Sequence, residues 1–213
     1  MPTTFTALPG WPAAGLALAC TALALWLRPW RGVGAGGPPA PWLAWWVAMP
    51  LLWSADHLAA APVVQPLSGA CLLVLMAGWP LAVLALLPVA LATGWLCGGD
   101  WALALHRLLW LGLVPATLTL GIGAALRRWL PHHLFIYILG RGFLGTALAL
   151  GLSGTAAAWL QGAHAGLAEE DLVLGRWLSA FGDAWLTGIL TAIFVAFRPQ
   201  WLATYTDRLY LPR

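Results

Sequence analysis

The sequence predicts an all-α, polytopic transmembrane helix bundle. Of its 213 residues, 62% are hydrophobic and 8% are charged, whereas a soluble domain carries about 25% charged residues. The apolar residues form long runs, and many of the 16 Trp residues stand at the ends of these runs, as in an interfacial belt. Since there is too little polar surface to solvate a globule, we expect lipid to surround residues 1–213 as one integral membrane domain.

Seven apolar runs are candidate spans, because a membrane helix needs roughly 20 apolar residues. The second and third runs are short. We expect both to extend through their flanks, or one of them to be an incomplete or re-entrant span buried among the others, since non-helical backbone is tolerated in a membrane only where protein or water covers it. The runs comprise residues 11–27, 41–53, 64–77, 80–96, 103–126, 134–158 and 177–197.

The distribution of charge predicts the orientation. All ten basic residues are Arg, and seven of them follow spans one, five and seven, which would place them in the cytoplasm if the first span starts outside. The acidic residues at 169–171 fall on the other side. We therefore expect the N-terminus outside, the C-terminus inside, and a multi-pass protein of a bacterial inner membrane. The Arg residues form no stripe, so a nucleic-acid partner is not expected.

Polar residues in and beside the spans indicate a candidate site, because charge inside a membrane is costly and marks either function or a structural pair. We expect His57, Asp100 and His106 to meet at the outer ends of spans two, four and five, with Asp183 of span seven as a fourth member. Such a pocket suits a small polar solute. It also suits a divalent transition-metal ion ligated by His57 and His106. The alternative is a hydrated polar cluster at the interface.

Three further charged positions, and the environment of Asp183, carry expectations of their own. Asp56 and Arg107 map to the same outer ends as the candidate site. Arg141 lies near the cytoplasmic end of span six, roughly a membrane away from Asp183, so we expect its side chain to snorkel to that interface. Asp183 then needs another environment, and an outward hydrated cavity is the expected one.

One short string resembles a catalytic motif. Residues 151–154 read Gly-Leu-Ser-Gly, similar to the string around the nucleophile of rhomboid-type intramembrane proteases. Such an enzyme needs a His base brought to the Ser from another helix, and span seven has no His. The chain also has no GxxxxGK[ST] string for binding nucleotide phosphates. We therefore expect no enzyme. The string is instead explained by the small residues of span six, which let helices approach closely: Gly140, Gly142, Gly145, Gly151 and Gly154.

Four segments of the chain resemble one family, and the resemblance covers most of the chain from about Leu58 on. The stretch from Pro66 to Trp79 is similar to a pattern of His-Leu-Leu-Gly, apolar residues and a Gly-Pro-Trp-like turn. Gly-Asp-Trp at 99–101, followed by His106, resembles a Gly-Asp element with a later Asn. Residues 127–137 and 197–210 resemble a proteobacterial branch. Together these parts resemble the CbiM-like permeases of energy-coupling factor (ECF) ABC transporters, whose better-known members take up cobalt or nickel.

The resemblance implies a substrate-capture subunit that works with a transmembrane coupling protein and two cytoplasmic ATPases. Metal-transporting members hold their ion with the amino terminus, a backbone nitrogen and two His residues. Here Pro2 and Pro66 stand at the two His positions, and proline offers neither an imidazole nor an amide proton. The family's square-planar nitrogen site therefore cannot form. Two expectations remain: a transport subunit for a transition-metal cation or another small solute, and a non-transporting accessory or assembly subunit on the same scaffold.

Overall fold

The structure, a computed structural model, describes residues 10–32, 38–59, 65–161, 169–206 and 210. Pro2, Arg208 and Arg213 lie outside these ranges. Within them the chain is helical and contains no strand, which confirms the all-α expectation. The α-helices are α1 (Gly10–Trp26), α2 (Ala40–Trp53), α3 (Ala55–Leu58), α4 (Ala70–Ala77), α5 (Trp79–Leu96), α6 (Trp101–Arg107), α7 (Val114–Trp129), α8 (Gly145–Gln161) and α9 (Glu169–Phe197).

Two widened, π-helical segments extend these helices. Leu108–Leu113 joins α6 to α7 without a break, and Ile136–Leu144 leads into α8. Such segments are rare and frequently occur at functional sites. Each stands beside a buried arginine, since Arg107 immediately precedes the first and Arg141 lies within the second.

Four helices of the described ranges are long and apolar enough to cross a membrane: Trp79–Leu96, Trp101–Trp129, Ile136–Leu160 and Glu170–Phe197. They correspond to expected spans four to seven. The first span is present as a shorter apolar helix, Trp11–Trp26. With 14 residues, α2 reaches about 21 Å at 1.5 Å per residue, which is less than the roughly 30 Å of hydrocarbon.

The last helix begins earlier than the sequence pattern predicted. It starts at Glu169 instead of residue 177, so that the acidic residues expected in a loop form its first turn. Glu170 and Asp171 are both exposed there. Carboxylates are stabilising at a helix N-terminus, where the unpaired N–H groups carry partial positive charge. The hydropathy pattern missed this turn because it is polar.

The third span is interrupted. Residues 65–69 are non-helical, and α4 has only eight residues. Helix α4 nevertheless lies at the centre of the bundle, with residues 70–76 all buried and with α2, α5, α7 and α9 around it. Gly69 (φ +66°) and Gly78 (φ +80°) provide the sharp turns at its two ends, a conformation that glycine adopts without strain. The structure thus has the incomplete, buried segment that was one of the two expectations for this span.

Helices α8 and α9 pack closely through glycines, as expected from the small residues of span six. A Cβ at position 151 would lie 2.5 Å from the ring of Trp177, and one at position 154 would lie 3.1 Å from Arg176. The hydroxyl of Ser153 between them is fully buried and donates to the carbonyl of Trp110 at 2.6 Å. The Gly-Leu-Ser-Gly string therefore makes helix-packing contacts.

This packing predicts that Gly151→Ala destabilises the bundle. Overpacking a tight contact costs about 1–3 kcal/mol, which is several degrees of Tm for a chain of this size. The measurement is thermal unfolding of the purified protein in a mild detergent. The matched control is Gly182→Ala on α9, where a Cβ would meet nothing within 4 Å. Equal Tm values for the two variants would contradict the close approach of α8 and α9.

Candidate functional site

The carboxylate of Asp183 lies in the centre of the bundle and is 2% exposed. Its Oδ2 accepts hydrogen bonds from the backbone N–H groups of Ser68, at 2.6 Å, and Gly69, at 3.1 Å. The hydroxyl of Thr187 lies 3.4 Å from Oδ1. A side chain on α9 thereby holds the backbone that leads into α4. A carboxylate at that position is also favoured by the unpaired N–H groups at the start of a helix.

The turn at Ser68 and Gly69 is held by three further hydrogen bonds. The Ser68 hydroxyl donates to the carbonyl of Leu111 at 2.5 Å. The indole N–H of Trp53 donates to the Ser68 carbonyl at 2.8 Å, and that of Trp45 donates to the Gly69 carbonyl at 2.9 Å. The carbonyls of Ser68 and Leu111 thus accept from side chains, while the Gly69 carbonyl accepts from Trp45 in addition to the N–H of Leu73 in α4. The interrupted backbone is therefore compatible with burial in a membrane protein.

A second polar cluster surrounds Arg107. Its guanidinium pairs with Asp56 at 2.6 Å, and the two side chains are 5% and 26% exposed. The same guanidinium donates to the backbone carbonyl of Trp53 and lies 3.7 Å from Cys97 Sγ. Trp53 thus contacts both clusters, through its indole N–H on one side and through its carbonyl on the other. Asp56 and Arg107, expected at the same end of the bundle, are a structural pair.

The four predicted site residues occupy different environments. His57 is exposed on α3, and His106 is half-buried on α6. Asp100 is exposed and caps the N-terminus of α6, where its carboxylate accepts from the N–H of Leu103 at 2.9 Å. Asp183 is buried and engaged with Ser68 and Gly69. The capping role of Asp100 is the ordinary one for an aspartate before a helix.

In the described ranges, no group of three or more His, Cys, Asp and Glu side chains is arranged to hold a metal ion. These ranges include His57, Asp100, His106 and Asp183. Pro66 lies in the non-helical segment before α4. The residues described here therefore do not fit a metal centre built from three such ligands, whereas the exposed imidazole and carboxylate groups can contact a polar solute.

The environment of Asp183 differs from the expected hydrated cavity. Two backbone N–H groups and a threonine hydroxyl replace water, because the interruption of the third span leaves amides that need an acceptor. The sequence contained a signal for this: Pro66 and Gly69 flank a serine inside an apolar run, and such residues mark a turn. The contributions of Trp45 and Trp53 had no signal in the sequence, because the turn that they contact lies 24 and 15 residues later in the chain.

The arrangement predicts that Asp183→Asn destabilises the protein. Weakening a buried hydrogen bond costs on the order of 1–3 kcal/mol, and the amide oxygen of asparagine would replace an acceptor that holds two backbone N–H groups. We expect Tm in detergent to fall by about 3–10 °C. The matched control is Asp100→Asn, because asparagine caps a helix as well as aspartate does. A Tm for Asp183→Asn equal to that of Asp100→Asn would contradict the bracing role.

No family model matches this chain, and no curated protein and no solved structure matches it either.

Proposed function

We propose that this chain is the substrate-capture subunit of an ECF-type ABC transporter. The observation that carries the proposal is the interrupted third span, whose turn at Ser68 and Gly69 is buried in the bundle and held by Asp183. Discontinuous helices with freed backbone groups are typical of transporter substrate sites. The same turn belongs to the segment that resembles the CbiM-like pattern. Sequence resemblance and backbone geometry therefore point to the same element.

The proposed topology has seven crossings, with the N-terminus outside and the C-terminus inside a bacterial inner membrane. Four crossings are the long helices, and the other three are α1, α2 and the interrupted segment that ends with α4. The Arg distribution supports this orientation, since Arg127, Arg128 and Arg198 all follow proposed outside-to-inside spans. A reporter fused after Arg213 measures the orientation: we expect it to be active in the cytoplasm, and periplasmic activity would contradict the proposed topology.

Capture would take place at the outer end of the bundle. The exposed His57 and Asp100 and the half-buried His106 would contact the solute there, while Asp183 holds the turn at Ser68 and Gly69. The solute is a transition-metal cation of the cobalt or nickel kind or another small polar solute. The chain would couple to ATP hydrolysis through a transmembrane coupling protein and cytoplasmic ATPases, because its sequence contains no phosphate-binding string of its own.

The second candidate is a non-transporting accessory or assembly subunit on the same scaffold. It is favoured by two observations: the Asp183 carboxylate already accepts from Ser68 and Gly69, and Pro66 stands where the resemblance implies a ligand. In that case the only role of the buried polar groups would be to stabilise the bundle. The two candidates differ in partners and in uptake.

The transport proposal predicts energised uptake that depends on His106. The complex isolated with the tagged chain is reconstituted into vesicles, ATP is supplied on the ATPase side, and accumulated metals are measured by elemental analysis and organic solutes by mass spectrometry. We expect His106→Leu to reduce uptake at least about tenfold, the effect of removing roughly 1.4 kcal/mol of binding, without lowering Tm.

The matched control for this experiment is His133→Leu. His133 is exposed and follows α7 on the proposed cytoplasmic side, so its loss should leave uptake unchanged. Isolation without ATPase subunits, or an absence of ATP-dependent accumulation, would overturn the transport proposal and favour the accessory subunit. Equal uptake by the His106→Leu variant would overturn the assignment of the capture site.

A further inference from the structure

A second site is indicated at the opposite end of the bundle from Asp56 and Arg107, around the buried Arg141. This residue was expected to snorkel to the interface, but its side chain is 4% exposed. Its guanidinium lies 5.5 Å from the centre of the Tyr137 ring and 3.5 Å from the carbonyl of Thr204. The snorkelling prediction was wrong because the segment after α9 folds back over this position. That segment is held there by hydrogen bonds from Ala203 and Thr204 to carbonyls at the end of α4.

The neighbouring helix leaves space for this guanidinium. A Cβ at position 123 on α7 would lie 2.5 Å from Arg141 Nη2 and 2.7 Å from its Nε. Only glycine can stand there without displacing the charged group. The position of Arg141 is therefore set by the helix packing, and its charge is held inside the protein.

The charge of Arg141 has no carboxylate partner among the described residues. Within those residues, the ion pair closer than 4 Å is that of Arg107 with Asp56. The Nε of Arg141 is buried and has no hydrogen-bond partner, and its contact with Thr204 is long. A buried guanidinium is stable in a membrane protein only with compensating negative charge or a full set of acceptors. Among the described residues, Arg141 has neither a compensating negative charge nor a full set of acceptors.

A pocket beside Arg141 brings further basic groups to this place. Its walls include Arg127, His132 and Arg141, together with the rings of Tyr137 and Tyr210. Apolar side chains complete the walls, among them Leu130, and the neighbouring Trp129 is 77% exposed. An anionic lipid has a charged headgroup and hydrocarbon below it. The basic groups of the pocket match the headgroup, and the exposed apolar and aromatic residues beside the pocket match the hydrocarbon.

We propose that the pocket lined by Arg127, His132 and Arg141 binds the phosphate group of an anionic membrane lipid. The pocket has room for about 10 Å³, so the phosphodiester would lie at its mouth. There the exposed Arg127 and His132 would donate to its oxygens, and its negative charge would compensate the buried guanidinium of Arg141. Basic pockets between helices near the cytoplasmic interface suit such headgroups. A lipid is favoured over a free phosphate ion by the apolar walls of the pocket and by the exposed ring of Trp129. The proposal is independent of the transport function.

The test uses the full chain in a mild detergent, titrated with cardiolipin or phosphatidylglycerol, and lipid binding is measured by native mass spectrometry. Phosphatidylethanolamine and inorganic phosphate are titrated in parallel. We expect retention of the anionic lipids and a rise in Tm with them. Arg127→Gln should weaken retention about fivefold, the usual contribution of one arginine to binding an anionic surface.

Arg128→Gln is the matched control, because Arg128 is the exposed neighbour of Arg127 on the last turn of α7 and does not line the pocket. It should bind the anionic lipids as the native chain does. Equal losses in the two variants would show a general surface charge effect and overturn the proposal. Equal binding of phosphatidylethanolamine would overturn it as well. Saturation by inorganic phosphate with no further effect of lipid would assign the pocket to a free anion and reject the lipid.

Discussion

Backbone N–H groups inside a membrane have no water to bind, and those of Ser68 and Gly69 find their acceptor in one side chain, the carboxylate of Asp183. The rest of the arrangement depends on this contact. It allows the third span to break and α4 to sit as a short helix in the centre of the bundle. It also joins α9 to a segment more than 110 residues earlier in the sequence. Loss of the carboxylate would leave two buried donors unsatisfied, which is among the larger costs available to a single substitution.

Trp53 extends this contact towards the end of the bundle where capture is proposed. Its indole N–H holds the Ser68 carbonyl, while its own carbonyl accepts from Arg107, which in turn pairs with Asp56. A continuous series of polar contacts therefore connects Asp183 with the residues at the start of α3. A solute that alters the pair of Arg107 and Asp56 would act on Trp53, and through it on the turn before α4. The π-helical segment that follows Arg107 lies beside the same series of contacts.

The sequence predicted the helical class, the positions of the long apolar helices and the shortness of the third span. Hydropathy is a property of local composition, so these features are visible in one dimension. The sequence also singled out Asp183, because an isolated carboxylate in an apolar run is conspicuous. It could not predict the partners of Asp183 or the burial of Arg141. Both depend on segments distant in sequence, Ser68 in the first case and Thr204 in the second, which meet only after the helices pack.

Hydrogen exchange at the amides of Ser68 and Gly69 measures whether Asp183 holds this turn in the native protein. Neither amide belongs to a regular helix, so each would exchange quickly if it were open to water. We expect exchange as slow as that of the amides within α4, and selective acceleration of these two amides in an Asp183→Ala variant, which has no acceptor at this position. Fast exchange at Ser68 and Gly69 in the native protein, or no acceleration in the variant, would contradict the bracing of the interrupted span by Asp183.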